Sequence, residues 1–289
     1  MAQRVCRAHD AASQFGVAPV WFVGCKTGEQ PLGVFGGAAL DEAPDDTSIG
    51  MRHSALPLRV VQVRLIVPAL SPKLPYDPAR DFTPVALLAN TPLVLLVNPA
   101  VPASTPAEFV AYAKTQPKGL SYGSSGIGSS IHFAGSLFAM ATGAPLVHVP
   151  YQGSAGSITD VLGGNIPAIF LDVGAGAGLV AVGKVRAIGV TSAQRSAALP
   201  QVPSLSEVAP GFSIGAWYGL YGPAGMPKQI TEVLNMHAVR AVNSPEHADV
   251  MVKRGNEPGK LDAPKFADYL RDELQKWSRI AKEANIKAE

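Results

Sequence analysis

Residues 120–143 constrain this chain more than any other stretch, because an apolar segment, a run of glycine and serine, and a helical pattern follow one another there directly. Residues 120–123 predict a short strand and residues 124–130 a loop of small residues, after which a helix runs to the terminal glycine. Either Ser129 or Ser130 suits the N-cap of that helix, since a serine hydroxyl accepts a hydrogen bond from an amide of the first turn. The stretch therefore predicts a strand–loop–helix unit.

The loop of this unit has the composition of an anion-binding site. Glycine and serine let backbone N–H groups approach a ligand closely, and the following helix adds the partial positive charge of its N-terminus. Together they suit a small anion such as a carboxylate or a phosphate. The alternative is a plain strand-to-helix turn, in which glycine serves only to make the turn tight.

The same stretch fits neither of two enzyme motifs that contain glycine and serine. A dinucleotide fingerprint requires Gly-x-Gly-x-x-Gly, and although Gly126 and Gly128 match, Ile131 occupies the third glycine position. A hydrolase nucleophile elbow requires Gly-x-Ser-x-Gly, and neither Ser124 nor Ser125 has both glycines in place. The stretch thus carries no enzyme signature.

The composition excludes several classes of function. A length of 289 residues with 47% hydrophobic residues favours two domains with substantial cores. A net charge of +2, without a basic run or an aromatic-interleaved basic patch, argues against nucleic acid as a partner. Two cysteines without a CxxC spacing predict neither a metal site nor a disulfide framework, and six histidines without an HxxH or HExxH spacing predict no metal site.

The sequence predicts no membrane anchor. Its most apolar run, residues 166–182, is interrupted by Pro167, Asp172 and several glycines, so that it does not qualify as a transmembrane helix. Residues 1–10 lack the apolar core of a signal peptide. The sequence as written therefore predicts a cytoplasmic protein.

Downstream of residue 72, apolar runs alternate with helical patterns, as in a mostly parallel sheet flanked by helices. Residues 1–70 have weaker patterns, which predict strands at 17–23 and 59–68 and the start of a helix at 36–42. Further strands are predicted at 85–88, 93–97, 146–149, 168–171, 187–191 and 214–222, and further helices at 106–115, from 157 to 162, and at 227–242, 245–254 and 264–284.

A series of short motifs resembles one known family. The motifs are KLPYDPARDFTPV at 73–85, LSYGSSGIGSSIH at 120–132, HVPYQG at 148–153, TDVLGG at 159–164, RAIGVTS at 186–192, LPQVPS at 199–204, AWYGL at 216–220 and PAG at 223–225. Their order and content are similar to those of the substrate-binding receptors of tripartite tricarboxylate transporters, the Bug-type periplasmic binding proteins. The resemblance covers residues 68–289.

This resemblance implies an α/β fold of the two-domain periplasmic binding protein type (type II), with mostly parallel sheets and flanking helices. One domain would comprise residues 1–98 and 222–289, and the other, residues 99–221, would carry the glycine- and serine-rich loop. The protein would not be an enzyme. It would be a monomer that binds a small carboxylate (a dicarboxylate, tricarboxylate, amino acid or aromatic acid) and delivers it to membrane permease subunits.

The resemblance also implies which residues bind the ligand. His132 would face the ligand or only brace the loop, and Asp172 would meet the distal end of the ligand or cap the glycine-rich turn that follows it. Trp217 would line the cleft or belong to the core of the hinge. The full set of implied ligand-binding residues is Ser124, Ser125, Gly126, Gly128, Ser129, Ser130, His132, Tyr151, Gly153 and Asp172.

The N-terminal part departs from the family pattern. The family begins with a signal peptide, followed by a strand and a Pro-aromatic-x-x-Gly-Gly loop that completes the carboxylate site, and neither is found in this sequence. The resemblance therefore implies a periplasmic location, whereas the sequence as written predicts a cytoplasmic one. A wrong start codon, a frame error or a decayed gene would explain this departure. Two alternatives to a working receptor stay open: a truncated or non-functional remnant of such a receptor, and, on the composition of the loop, a hydrolase that uses serine and histidine.

Overall fold

A computed structural model describes residues 59–61, 77 and 80–286. The strand predicted at 17–23 and the helix start predicted at 36–42 lie outside the described residues, as do both cysteines. Of the strand predicted at 59–68, residues Arg59–Val61 form a short strand, β1.

The described part of the chain forms eight strands and seven α-helices that alternate through most of its length. After β1 the elements are β2 (Phe82–Val97), α1 (Pro106–Thr115), β3 (Leu120–Ser124), α2 (Ser130–Thr142), β4 (Leu146–Pro150), α3 (Ser154–Gly163), β5 (Ala168–Asp172), α4 (Val173–Ala181), β6 (Arg186–Val190), β7 (Gly215–Pro223), α5 (Lys228–Val242), α6 (Pro245–Lys253), β8 (Glu257–Pro258) and α7 (Ala263–Glu283).

β2 is one continuous strand of 16 residues, where the sequence predicted two separate strands. Up to Pro92 it pairs with β7 and β8, and from Leu93 onward it pairs with β5 and β6. Proline has no amide N–H to donate to a neighbouring strand. Pro92, however, lies where β2 changes its pairing from β7 to β5. The strand therefore continues through a residue that normally interrupts one.

The sheet is mixed rather than mostly parallel in the part of the chain that the structure describes. Its strand order is β1-β7-β2-β5-β3-β4, with β6 and β8 also paired to β2. β2 is antiparallel to all four of its partners, and only β3 is parallel to its neighbours, β4 and β5. Local strand–helix–strand patterns predict the parallel part, whereas a long strand shared by two halves of a sheet has no local signal.

The helix boundaries agree with their capping signals. Thr105 accepts a hydrogen bond from the amide of Glu108, whose carboxylate accepts one from the amide of Ser104 in return. Ser129, rather than Ser130, caps α2, and Gly143 ends it in the left-handed conformation. These reciprocal side-chain bonds satisfy amides that have no partner within a helix.

The segment after Asp172 is a helix, α4, and not the glycine-rich turn expected from its composition. Glycine disfavours helices by about 1 kcal/mol relative to alanine. Two of these glycines nevertheless allow close packing. A Cβ on Gly174 would lie 2.1 Å from the carbonyl oxygen of Arg254, and one on Gly176 would lie 2.5 Å from a methyl of Val94. Tertiary packing therefore outweighs the low helix propensity.

The C-terminal helix α7 contributes to two cores. Phe266 and Leu270 pack with Trp217 on the part of the sheet formed by β2 and β7, whereas Trp277 and Ile280 pack with residues of β3, β5 and α2. Trp217 is buried in the first of these cores, in agreement with its alternative role in the hinge. The predicted domain division stays a prediction. Among the described helices, none is long and apolar enough to cross a membrane.

Candidate functional site

The loop between β3 and α2 is braced from within by Ser124. This residue has 0% exposure. Its hydroxyl oxygen accepts a hydrogen bond from the amide of Gly126 at 3.1 Å and lies 2.6 Å from Nε2 of His148. Ser124 was predicted to contact the ligand, but its side chain is buried and bonded to the protein, so that it shapes the loop.

Ser129 holds the other end of the loop. Its hydroxyl accepts a hydrogen bond from the amide of His132 at 3.2 Å and donates one to the carbonyl of Gly126 at 2.8 Å. Gly126 has φ +134° and Gly128 has φ +76°, which are conformations that other residues rarely adopt. The two glycines are therefore required by the path of the loop.

His132 and His148 form a stacked pair beneath the loop. Their ring centroids lie 3.5 Å apart with an interplanar angle of 7°. Nδ1 of His132 accepts a hydrogen bond from the amide of Gly128 at 3.2 Å. Because an amide can only donate, the proton of the neutral His132 ring is assigned to Nε2. The contacts of His132 thus support its role as a brace of the loop, and contact with a ligand stays a prediction.

Both histidines are neutral at ordinary pH. Burial, together with the nearby charge that His148 would carry, lowers the pKa of His132 to about 3. Burial lowers the pKa of His148 to about 4. Neither histidine therefore contributes a positive charge to the loop, and the polarity that the described loop residues supply comes from hydrogen-bond donors.

The loop keeps several donors available. Within the described part of the chain, several amides of the loop and of the first turn of α2 make no hydrogen bond to protein. Amides of a loop and of the first helical turn, when they are not bonded to protein, form a typical anion-binding site. The available groups are the amides of Ser125, Ile127, Ser130 and Ile131 and the hydroxyls of Ser125 and Ser130.

Tyr151 and Gly153 support the loop from the segment between β4 and α3. The amide of Tyr151 donates to the carbonyl of Ser124 at 3.2 Å, and the amide of Gly153 donates to the carbonyl of Ser125 at 3.1 Å. The Tyr151 hydroxyl donates to the carboxylate of Asp160 at 2.6 Å. Both residues thus contact the loop, and their direct contact with a ligand stays a prediction.

Asp172 lies at the carboxyl end of β5, which is parallel to β3. It occupies the N-cap position of α4, as in its alternative role, but its side chain makes no capping hydrogen bond. The residue is exposed, yet the surrounding protein raises the pKa of its carboxyl group. Contact of Asp172 with the distal end of a ligand stays a prediction.

Tyr218 is a further residue of this region, and sequence analysis missed it. It lies on β7, where Trp217 points into the core and Tyr218 is 39% exposed. Burial raises the pKa of its hydroxyl, and the charge of Asp172 raises it further. The two side chains therefore lie within electrostatic reach of each other. The alternation of inward and outward residues on β7 was the available signal.

Within residues 80–286, no group of three or more histidine, cysteine, aspartate or glutamate side chains could hold a metal ion. A cavity of about 480 Å³ lies between β2, β8 and α7, near Asn90 and Tyr269, and contains none of the predicted ligand-binding residues.

Comparison with known proteins gives a family match over most of the chain. The family described as the tripartite tricarboxylate transporter family receptor matches residues 42–286. A UPF0065 protein encoded in the tcbD–tcbE intergenic region of Pseudomonas sp. strain P51 is 32% identical over 219 residues, which are 75% of this chain and 65% of that protein. BugT of Bordetella pertussis is 28% identical over 251 residues, 86% of this chain and 75% of BugT.

Solved structures agree in fold. The structure described as R. palustris Rpa4515 with adipate has a TM-score of 0.70 and 29% identity, covering 79% of this chain and 77% of that one. MatC (Rpa3494) from Rhodopseudomonas palustris with bound malate has a TM-score of 0.65 and 27% identity, covering 77% and 78%. A periplasmic transporter structure has a TM-score of 0.70 and 35% identity, covering 80% and 78%.

Proposed function

The chain belongs to the tripartite tricarboxylate transporter receptor family, and from that membership we propose that it captures a small carboxylate and presents it to a membrane permease. It is a solute-binding protein and not an enzyme. The relatives named for bound adipate and malate support a dicarboxylate as the ligand class. On this proposal it acts in the periplasm as a monomer, without cofactor or metal.

The observation that carries the proposal is the set of unoccupied donors at the loop between β3 and α2. A carboxylate has two oxygens that accept several hydrogen bonds, and the amides of Ser125, Ser130 and Ile131 belong to a loop and a helix N-terminus suited to them. The side chains that would compete for these amides are bonded elsewhere, since Ser124 and Ser129 are used within the loop.

The other end of the ligand meets Asp172 and Tyr218 on this proposal. An ionised Asp172 repels a second carboxylate but accepts a hydrogen bond from a hydroxyl or amine. The raised pKa of Asp172 indicates that its charge is poorly solvated, which makes a donor on the ligand more valuable there. We therefore expect a hydroxyl or amine of the ligand to face Asp172, as the hydroxyl of a hydroxy-dicarboxylate could, with the second carboxylate directed away from it.

Binding would close two halves of the molecule around the ligand. The crossing strands β2 and β7 join the part of the sheet that carries the loop to the part packed under α5 and α7. Strands shared between two halves suit a hinge, since small changes along them reorient one half relative to the other. The proposed division places residues 99–221 in one half and residues 222–289, with the chain up to residue 98, in the other.

A hydrolase that uses Ser124 and His148 does not fit the site. The 2.6 Å contact between their side chains resembles a nucleophile–base pair. Ser124, however, has 0% exposure, so that no ester can reach its hydroxyl. The pair has a structural role.

Thermal unfolding of the full chain with millimolar malate, adipate, citrate, aspartate or glutamate tests the proposal. A ligand present at about 100 times its dissociation constant adds about 2.7 kcal/mol to the free energy of unfolding, which is a clear rise in Tm. We expect one or more of these acids to raise Tm while sodium chloride at equal ionic strength does not. A cooperative transition that no carboxylate moves would support the remnant alternative.

A further inference from the structure

His148 occupies a central position among the groups that brace the loop. It lies on β4, beside β3, and its Nε2 is 2.6 Å from the hydroxyl of Ser124. Its ring is stacked on that of His132, and the ring of Tyr122 lies next to it with centroids 5.3 Å apart. None of these contacts uses a donor that the loop keeps available for an anion.

The contacts continue from His148 into the loop along two routes. On the first, the Ser124 hydroxyl bonded to His148 accepts the amide of Gly126, whose carbonyl accepts the hydroxyl of Ser129. On the second, His132, stacked on His148, accepts the amide of Gly128. Each imidazole of the pair thus helps to hold one glycine of the loop, and both glycines have positive φ.

We propose that His148 is a positioning residue of the carboxylate site. It fixes the Ser124 hydroxyl and the His132 ring, and through them the loop conformation in which the amides of Ser125, Ile127 and Ser130 are free to bind the ligand, which His148 itself does not touch. The inference rests on the proposed function of the loop. The role requires a flat ring for stacking together with a polar nitrogen for Ser124, and histidine supplies both.

A double-mutant cycle on binding tests this inference. The variants are His148→Phe, which keeps a ring of similar shape but loses the bond to Ser124, Ser124→Ala, and the two combined. Affinity for malate or adipate, whichever the wild type binds, is measured by titration calorimetry. We expect each single variant to weaken binding about tenfold, the size of one well-placed hydrogen bond. The double variant is expected to bind no more weakly than either single variant.

Two further variants separate positioning from a general loss of stability. His237→Phe, at an exposed position of α5, is the matched control and is expected to leave affinity unchanged. His148→Gln retains a polar group near Ser124 and is expected to recover part of the affinity that His148→Phe loses. A residue needed only for stability would lower Tm in these variants and leave the affinity of the folded protein unchanged.

These measurements distinguish a failure of the positioning role of His148 from a failure of the proposed function. If the wild type binds none of the carboxylates, the proposed function fails. If it binds one and both His148→Phe and Ser124→Ala bind it equally well, only the positioning role is overturned. The positioning role would also be overturned if the fold-loss of affinity in the double variant equalled the product of the two single losses. His148 would then act independently of Ser124. If His148→Phe does not fold, Ser124→Ala, which removes one oxygen, decides alone.

Discussion

The indole nitrogens of Trp217 and Trp277 both donate to the same carboxylate oxygen of Glu273, each at 3.0 Å. Trp217 lies on the crossing strand β7, whereas Trp277 packs edge-on against Phe133 of α2. The second carboxylate oxygen of Glu273 accepts a hydrogen bond from Lys276. One buried carboxylate therefore links a hinge strand to the helix that contacts the binding-loop helix.

Replacing Glu273 tests the importance of this link for stability. Glu273 is 7% exposed, and Glu273→Ala leaves two buried indole N–H groups without an acceptor. We expect the free energy of unfolding to fall by about 3 kcal/mol, since an unsatisfied buried donor costs about 1–3 kcal/mol. Urea denaturation measures the change. Glu273→Gln, which keeps a carbonyl oxygen, is expected to lose less, and Glu283→Ala, exposed on the same helix, is expected to have little effect.

Two glycines in helices predict opposite effects of the same substitution. A Cβ on Gly135 of α2 would lie 2.2 Å from the ring of Tyr122, whose hydroxyl donates to the carbonyl of His132. A Cβ on Gly178 of α4 would meet nothing within 4 Å. We expect Gly135→Ala to destabilise by about 1–3 kcal/mol through overpacking. Gly178→Ala is expected to stabilise by up to about 1 kcal/mol through helix propensity.

Thermal or urea denaturation of the two variants side by side checks this pair. Both substitutions remove the same backbone freedom from the unfolded chain, so that the difference between them isolates the contact with Tyr122. Equal effects of the two substitutions would show that the close approach of Gly135 to the ring does not limit packing.

These helices also show what local sequence determines. Ser129, Gly143, and Thr105 with Glu108 are signals within a few residues of the helix ends that they set, and the boundaries of α1 and α2 were predicted correctly. α4 was not predicted, because its stability depends on Arg254 and Val94, which are distant in sequence. β2 was divided at Pro92 for the same reason, since its partners come from four different parts of the chain.

Only part of the local structure of the candidate site could be predicted from the sequence, and its contact with a ligand stays a prediction. The loop composition indicated an anion site, and the described residues place Ser125 and Ser130 with unoccupied donors. The inward orientation of Ser124 depends on His148, 24 residues away on β4, and no local pattern in the sequence indicates that contact. Tyr218 was missed because its proximity to Asp172 arises from the pairing of β2 with both β5 and β7.

The stacked histidines predict that stability falls on mild acidification. Their folded pKa values, about 3 for His132 and about 4 for His148, lie below the ordinary value of 6.5. Between pH 6.5 and pH 4 the unfolded chain therefore binds protons that the folded protein excludes. The free energy of unfolding decreases as pH falls through this window, by at most about 1.4 kcal/mol per pH unit and histidine. The contribution of half-buried His148 is smaller than this limit.

Urea denaturation at pH 7.5, 6.5, 5.5 and 4.5 measures how the free energy of unfolding changes with pH. Carboxylates also titrate at the acidic end, so the informative quantity is the difference between the wild type and a His132→Gln, His148→Gln variant. We expect the variant to be less stable at pH 7.5 and to have a shallower slope below pH 6.5. Parallel curves would contradict the neutral state of the pair in the folded protein.

The positions of Asp172 and Tyr218 lead to a prediction that the protein binds malate in preference to succinate. On the proposed function, an ionised Asp172 accepts a hydrogen bond from the hydroxyl of malate, which succinate lacks. Asp172→Asn removes the charge while retaining the size of the side chain. We expect the ratio of malate affinity to succinate affinity to fall by about tenfold, as expected when a hydrogen bond to a charged group is lost. Succinate itself should bind more tightly, because its second carboxylate is no longer repelled.

Titration calorimetry with the two acids measures the ratio, and Asp249→Asn, at an exposed position of α6, serves as the control for a change of net charge. Tyr218→Phe adds a second test, since burial and Asp172 raise the pKa of the Tyr218 hydroxyl and it remains a neutral donor. Loss of that donor is expected to weaken binding of both acids equally. A malate-to-succinate ratio that is the same in the wild type and in Asp172→Asn would place the ligand hydroxyl away from Asp172 and assign this selectivity to another part of the cleft.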